Sequence, residues 1–269
     1  MPELPDAIFH VDGDHVMPTE LARGPWSPHA MHGGAPAALL ARAFERHDPG
    51  PADFVTRMTI ELLRPVPLSP LDLQVRTIRP GRKVQWLEAS VVAEGREVVR
   101  ATALRLRSDP DLGIPAPEPR PVAMAPVDES RPFVIDFSDA GWGERSEVGF
   151  GRAFELRVAD GSFAAVGPAA VWFRLAVPVV AGEEPSPLQR VAATADFGNG
   201  ISAVFQDGRH TFINADLTVS VWRLPVGEWV GIDSVTEAAS HGVGVAESVL
   251  VDGSGRLGRA LQSLLIDRV

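Results

Sequence analysis

The chain has 269 residues, a formal net charge of −10 and no cysteine. Without cysteine it has no disulfide, no thiolate metal site and no cysteine nucleophile, and its acidic balance argues against nucleic acid or an anionic membrane as a partner. Because no apolar run reaches the length of a membrane span and the N-terminus lacks a signal-peptide pattern, we expect a cytoplasmic protein with no membrane contact.

The first half of the chain predicts two short strands, one helix and then four long strands. The helix begins at Gly33-Gly34 and carries Pro36 in its first turn, where a missing N–H costs nothing. In the long strands apolar and polar residues alternate, although only approximately. The predicted strands cover residues 6–11, 14–20, 53–64, 69–79, 83–93 and 97–107.

A Pro- and Ala-rich segment, residues 108–148, separates the two halves and favours extended backbone. We therefore divide the chain into an N-terminal unit (1–107), this linker and a C-terminal unit (149–269). In the second unit Ser186 is a predicted N-cap, followed by Pro187. The helix is predicted to continue to about residue 205, with a kink at its glycines. The predicted strands cover 150–158, 169–178, 210–223, 228–238, 243–252 and 256–267.

The two halves are copies of one another. A shift of 159 residues aligns them without a gap, and a repeat of this length means two copies of one folding unit. One helix against an antiparallel sheet of long strands, duplicated, predicts an α+β double hotdog, in which two sheets join edge to edge. The aligned pairs include Arg64 with Arg223, Glu88 with Glu247, Arg100 with Arg259 and Ala101 with Ala260.

Four segments resemble the double-hotdog acyl-CoA thioesterases of type II. They begin at His32 (HGGAPAALLARA), Thr194 (TADFGNG), Ile213 (INADLTVSVWRLP) and Arg259 (RALQSLL). The resemblance covers nearly the whole chain. It implies hydrolysis of an acyl-CoA to the free acid and CoA, without a cofactor.

The resemblance also implies the site residues. The family's catalytic carboxylate matches Asp196 and its glutamine matches Gln262. Its third polar residue, a Thr or Ser, falls on Asn214, which is a departure; Thr211 and Asp216 are the nearby substitutes. An Asn can still hold a water, because its amide both donates and accepts hydrogen bonds.

The repeat supports these residues independently. Asp196 aligns with Ala37, Gln262 with Ala103 and Asn214 with Val55 in the first copy, so polar residues face apolar ones three times. A duplicated fold with one surviving active site would show this pattern. A carboxylate can act as the general base for a water, and a Gln amide can hold that water or donate to the developing oxyanion.

Two further groups precede the first helix. The backbone amides of Gly33 and Gly34 could polarise a substrate carbonyl, or these glycines simply permit close packing. His29 and His32 are spaced as metal ligands, but no third ligand accompanies them, so we predict no metal site.

Two other functions remain open. A double-hotdog dehydratase acting on 3-hydroxyacyl thioesters would pair a histidine before the first helix, here His29, with Asp196. A non-catalytic acyl-thioester binding protein would explain Asn214 as the mark of a lost site. In either case exposed sheet edges favour a homo-oligomer, a dimer or a tetramer of chains.

Overall fold

The computed structural model describes residues 4–115, 122–135, 149–163 and 165–269. The first copy contains β1 (Phe9–Asp12), β2 (His15–Pro18), α1 (Gly34–Arg46), β3 (Phe54–Leu62), β4 (Leu71–Arg79), β5 (Val84–Ala93) and β6 (Arg96–Leu106). The second contains β7 (Arg131–Phe133), β8 (Phe154–Asp160), β9 (Ala169–Leu175), α2 (Pro187–Ala195), α3 (Gly198–Ile201), β10 (His210–Asn214), β11 (Asp216–Val221), β12 (Trp229–Ala238), β13 (Val243–Asp252) and β14 (Gly255–Arg268).

All fourteen of these strands belong to one sheet. Its order is β1-β2-β4-β5-β6-β3-β11-β14-β13-β12-β9-β8-β7, and β10 also pairs with β14. Counted outwards from the centre, the first copy runs β3-β6-β5-β4-β2-β1 and the second runs β11-β14-β13-β12-β9-β8, so corresponding strands take corresponding places. The predicted α+β double hotdog is therefore confirmed.

The two copies join where β3 pairs antiparallel with β11. Thr59 lies opposite Thr218, and their hydroxyl oxygens are 3.3 Å apart. The two threonines are separated by the 159 residues of the sequence repeat, so each is the other's counterpart. A pseudo-twofold axis therefore passes through this pair, and the join needs no connecting loop to fix its register.

Three details differ from the sequence predictions. The second helix ends at Ile201 instead of about residue 205, after α2 passes into the short α3. The strand predicted at 210–223 is two strands, because Ala215 leaves the ladder to bond Ser263 and Leu62. Within the segment predicted as a linker, β7 pairs with β8 and extends the second sheet.

The helices α1 and α2 pack against each other in opposite directions. At one end, Gly34 in the first turn of α1 approaches Ala193 near the end of α2. At the other, the Ser186 hydroxyl, the N-cap of α2, donates to the Glu45 carboxylate at 2.6 Å. Burial raises the pKa of the Glu45 carboxyl, against the lowering effect of the Ser186 hydrogen bond. The close contact places the start of α1 beside the end of α2.

Most of the inner residues of both helices are small, which permits this approach. The larger apolar side chains belong to one continuous core that lies against the sheet. Among them are Leu39, Leu40 and Phe44 of α1 and Val191 of α2, which are all 1% exposed or less.

No helix among the residues described is long and apolar enough to cross a membrane.

We predict that Gly34→Ala destabilises the protein. A Cβ on Gly34 would lie 2.6 Å from Phe150 Cε1 and 2.7 Å from the Ala193 carbonyl oxygen. Such overpacking costs about 1–3 kcal/mol, more than the ~1 kcal/mol that Ala gains over Gly in a helix. Gly200→Ala is the matched control, because a Cβ there meets no atom within 4 Å. Urea unfolding should show loss for the first variant and no loss for the second; equal stability would contradict the packing argument.

Candidate active site

Asp196 lies at the junction of α2 and α3. Its backbone is helical and it caps the C-terminus of α2. Its side chain is only 2% exposed. A carboxylate buried this deeply is costly unless the protein supplies hydrogen-bond donors, and three side chains surround it.

Gln262 supplies the first set of bonds. It lies in β14, 1% exposed, and its Nε2 donates to Asp196 Oδ1 at 3.0 Å and to the Asp196 carbonyl oxygen at 3.1 Å. Its Oε1 accepts the Asn199 N–H at 3.0 Å. Gly198 permits this approach, since a Cβ there would lie 2.8 Å from Gln262 Oε1. Gln262 therefore ties the helix junction to the sheet.

Asn214 supplies another donor. It is the last residue of β10, beside the break at Ala215, and its Nδ2 donates to Asp196 Oδ1 at 3.1 Å. The structure thus brings Asn214 to the carboxylate. Asp216, one of the two substitutes, instead accepts the Ser263 N–H at 2.7 Å within the sheet. Thr211 lies in β10 opposite Asp267.

His32 was considered from the sequence only as a metal ligand, and its place beside Asp196 was missed. Its Nδ1 lies 3.0 Å from Asp196 Oδ2. The Gly34 N–H also lies 3.1 Å from Nδ1, but one ring nitrogen cannot accept that proton and donate its own. The contact with a carboxylate is the stronger of the two, so we assign a proton to Nδ1. No group of three potential metal ligands occurs among the described residues.

Aromatic rings hold His32 in place. Its ring lies 4.8 Å from that of Phe150 and 4.6 Å from that of Phe197, centroid to centroid, with Trp26 on the outside at 5.7 Å. His29, by contrast, donates its backbone N–H to Ser27 in an exposed turn. The one signal in the sequence is that His32, unlike His29, directly precedes Gly33. The tertiary packing is what shows that His32 is the histidine that reaches Asp196.

The two glycines at the start of α1, Gly33 and Gly34, lie close to neighbouring groups. A Cβ on Gly33 would lie 2.8 Å from Asp196 Oδ2, and one on Gly34 would strike α2 and Phe150. Close packing therefore explains why a glycine stands at both positions. It is compatible with a role for the Gly33 amide, because the same closeness puts this backbone beside the carboxylate.

A pocket of about 770 Å3, including its open mouth, lies over the carboxylate. Its apolar wall is formed by Trp26, Ile135, Phe150, Phe163 and Phe197. Its polar end contains His32, Asp196, Asn199 and Asn214, and Arg23 and Arg152 also line the pocket. A pocket with an apolar wall and a few convergent polar groups suits a ligand with an apolar part joined to a polar, reactive one. A buried carboxylate at the polar end can hold and deprotonate a water.

Two family models match the sequence. The family model described as "Acyl-CoA thioesterase C-terminal domain" matches residues 121–266, and that described as "Acyl-CoA thioesterase N-terminal domain" matches residues 22–106. No curated protein matches the sequence.

Several solved structures share the fold at low identity. A hot dog fold protein of unknown function from Alicyclobacillus acidocaldarius has 16% identity and a TM-score of 0.74, with 97% of each chain covered. A candidate thioesterase II from Thermobifida fusca has 17% identity and a TM-score of 0.73, over 98% of this chain and 96% of that one. An acyl-CoA thioesterase II from Mycobacterium marinum has 14% identity and a TM-score of 0.65, over 97% and 94%.

We predict that Gln262→Ala destabilises the protein by about 2–3 kcal/mol. The change leaves the buried Asn199 N–H without its acceptor and removes two donors from Asp196, and a buried group without a partner costs about 1–3 kcal/mol. Gln74→Ala, on the exposed face of β4, is the control and should stay within about 0.5 kcal/mol of the parent protein. Urea unfolding measures both. Equal free energies of unfolding would show that Gln262 does not hold the junction.

Proposed function

Since the chain belongs to the acyl-CoA thioesterase family and is a thioester hydrolase, we propose that it hydrolyses acyl-CoA with a water activated by Asp196. The observation that carries this proposal is the buried Asp196 carboxylate in a pocket that also has an apolar wall. The proposed substrate is an acyl-CoA, and no cofactor takes part.

The two oxygens of the carboxylate have different surroundings. Oδ1 accepts hydrogen bonds from Gln262 and Asn214, while Oδ2 lies beside His32. We propose that this fixed orientation lets Asp196 take a proton from the attacking water. The water oxygen then bonds to the thioester carbonyl carbon. As the tetrahedral intermediate collapses, the carbon–sulfur bond breaks and the CoA sulfur takes the proton from Asp196.

Gln262 acts in this proposal as a positioning residue. Its Nε2 already donates two hydrogen bonds to Asp196, and its Oε1 already accepts the Asn199 backbone N–H. This supports a role in holding the base, and leaves the oxyanion to another donor. We propose the Gly33 backbone N–H, at the N-terminus of α1, because a Cβ on Gly33 would lie 2.8 Å from Asp196 Oδ2, which puts this backbone beside the base, and because a helix N-terminus favours negative charge.

We predict that Asp196→Asn lowers kcat by about 100-fold or more, the usual contribution of a general base. The assay measures free thiol released from acyl-CoAs with chains from C2 to C18. Asp216→Asn is the matched control, an Asp on the neighbouring strand whose carboxylate bonds the sheet backbone. It should retain most of the activity. Full turnover by Asp196→Asn would remove Asp196 as the base, and no turnover with any acyl-CoA in the parent protein would contradict the proposed function.

The contact between His32 and Asp196 favours a second candidate, the dehydratase. A histidine before the first helix beside an Asp of the second helix is the pair that such an enzyme needs, with His32 in the place first given to His29. A dehydratase would interconvert 3-hydroxyacyl and 2-enoyl thioesters without releasing thiol.

One experiment separates the two candidates. The His32→Ala and Asp196→Asn variants are compared on 3-hydroxyacyl-CoA, following thiol release and the enoyl chromophore together. For a hydrolase we predict thiol release, no enoyl product, and a smaller loss for His32→Ala than for Asp196→Asn. Enoyl product that both variants lose to the same degree would establish the dehydratase instead.

A further inference from the structure

Asn199 carries a buried polar atom that the proposed mechanism does not use. The residue lies in α3 and is 7% exposed, and its backbone N–H bonds Gln262. Its side-chain Oδ1 is buried and has no hydrogen-bond partner among the residues that the structure describes. Asn199 is one of the residues that line the pocket over Asp196. An acceptor left unpaired in this way costs about 1–3 kcal/mol, which a ligand could recover.

Asn199 faces the same way as Asp196. The backbone at Asp196 and Phe197 is helical, so the two residues are one turn apart on the same side of the chain. Both line the pocket. A group held by Asn199 would therefore lie within a few ångströms of the reacting carbonyl.

Buried hydroxyl groups fix the backbone of α3 just before Asn199. The Gly198 carbonyl accepts hydrogen bonds from Ser202 Oγ at 2.8 Å and from Ser234 Oγ at 3.0 Å. Ser248 Oγ donates to Ser234 Oγ at 2.9 Å. These hydroxyls are buried and fix the backbone just before Asn199. The backbone that carries the Asn199 side chain is thus held in position.

A ligand must bring a donor to this oxygen, because a thioester group itself only accepts. Next to Asn199, Gly200 also lines the pocket, is exposed, and has open space around it. The chain directly after Asn199 therefore reaches the open part of the pocket. In an acyl-CoA the nearest donor is the amide N–H of the pantetheine arm, which an ethylene unit joins to the sulfur.

We propose that Asn199 is a specificity residue that accepts the hydrogen bond of this first pantetheine amide N–H and so sets the thioester over Asp196. The proposal rests on the proposed function. It makes recognition of the thiol part of the substrate independent of acyl chain length.

The experiment compares three thioesters of one saturated acyl group. They are the CoA ester, the N-acetylcysteamine ester, which keeps the amide, and an S-alkyl ester, in which methylenes replace the amide. In the parent protein we expect kcat/KM to be about 10-fold lower for the S-alkyl ester than for the N-acetylcysteamine ester, because the loss of one hydrogen bond has an effect of about this size. In Asn199→Ala we expect kcat/KM to fall about 10-fold for the CoA and N-acetylcysteamine esters and to stay unchanged for the S-alkyl ester. Asn199→Leu, similar in size, guards against a cavity effect, and melting temperatures check that both variants fold.

Three outcomes overturn the proposal. An equal loss on all three esters would show a structural role only. Equal kcat/KM of the parent protein for the N-acetylcysteamine and S-alkyl esters would show that Asn199 does not bind the amide. A loss confined to the CoA ester would place the contact on a part of CoA beyond the first amide.

If no ester releases thiol in the parent protein, the proposed function fails but this inference is still tested. Calorimetry then measures binding of a non-hydrolysable thioether analogue of acyl-CoA. Binding about 10-fold weaker in Asn199→Leu than in the parent protein would support the contact, and equal binding would overturn it.

Discussion

The buried carboxylate of Asp196 sets the constraint on which the surrounding structure depends. A carboxylate removed from water loses several kcal/mol of solvation unless the protein replaces the lost hydrogen bonds. The replacements come from separate parts of the chain: Gln262 from β14, Asn214 from the break after β10, and His32 from the turn before α1. All must arrive within hydrogen-bond distance, so the packing of the helices and the register of the sheet are both tied to this one group.

The duplicated fold meets this constraint only once. The positions that align with Asp196, Gln262 and Asn214 in the first copy are Ala37, Ala103 and Val55, which are 0%, 1% and 4% exposed. They are ordinary core. A polar cluster that is only partly satisfied is worse than an apolar core, so a copy that loses its carboxylate has reason to lose the donors too. The asymmetry that suggested a single site in the sequence thus has a simple energetic basis.

Sequence periodicity and the repeat were enough for the fold, since both depend on local pattern and on the alignment of the copies. The place of Asn214 in the site was implied by the family resemblance, and the structure brings Asn214 to Asp196 even though the predicted strand divides at Ala215. His32 did not follow, because its place depends on the packing of α1 against α2 and on the rings of Phe150 and Phe197. Asn199 could not be recognised either, because an unpaired oxygen is a property of the folded structure alone.

The pocket is built from both copies. His32 and Gly33 precede α1, whereas the carboxylate and its amide donors belong to the second copy. The chain can be cut between β6 and β7, in the segment around residues 107–126, without dividing either helix or the β3–β11 seam. Neither fragment would then contain a complete site. Activity would return only when the two fragments reassociate through the Thr59–Thr218 pairing, which would make the protein a reporter for fragment complementation.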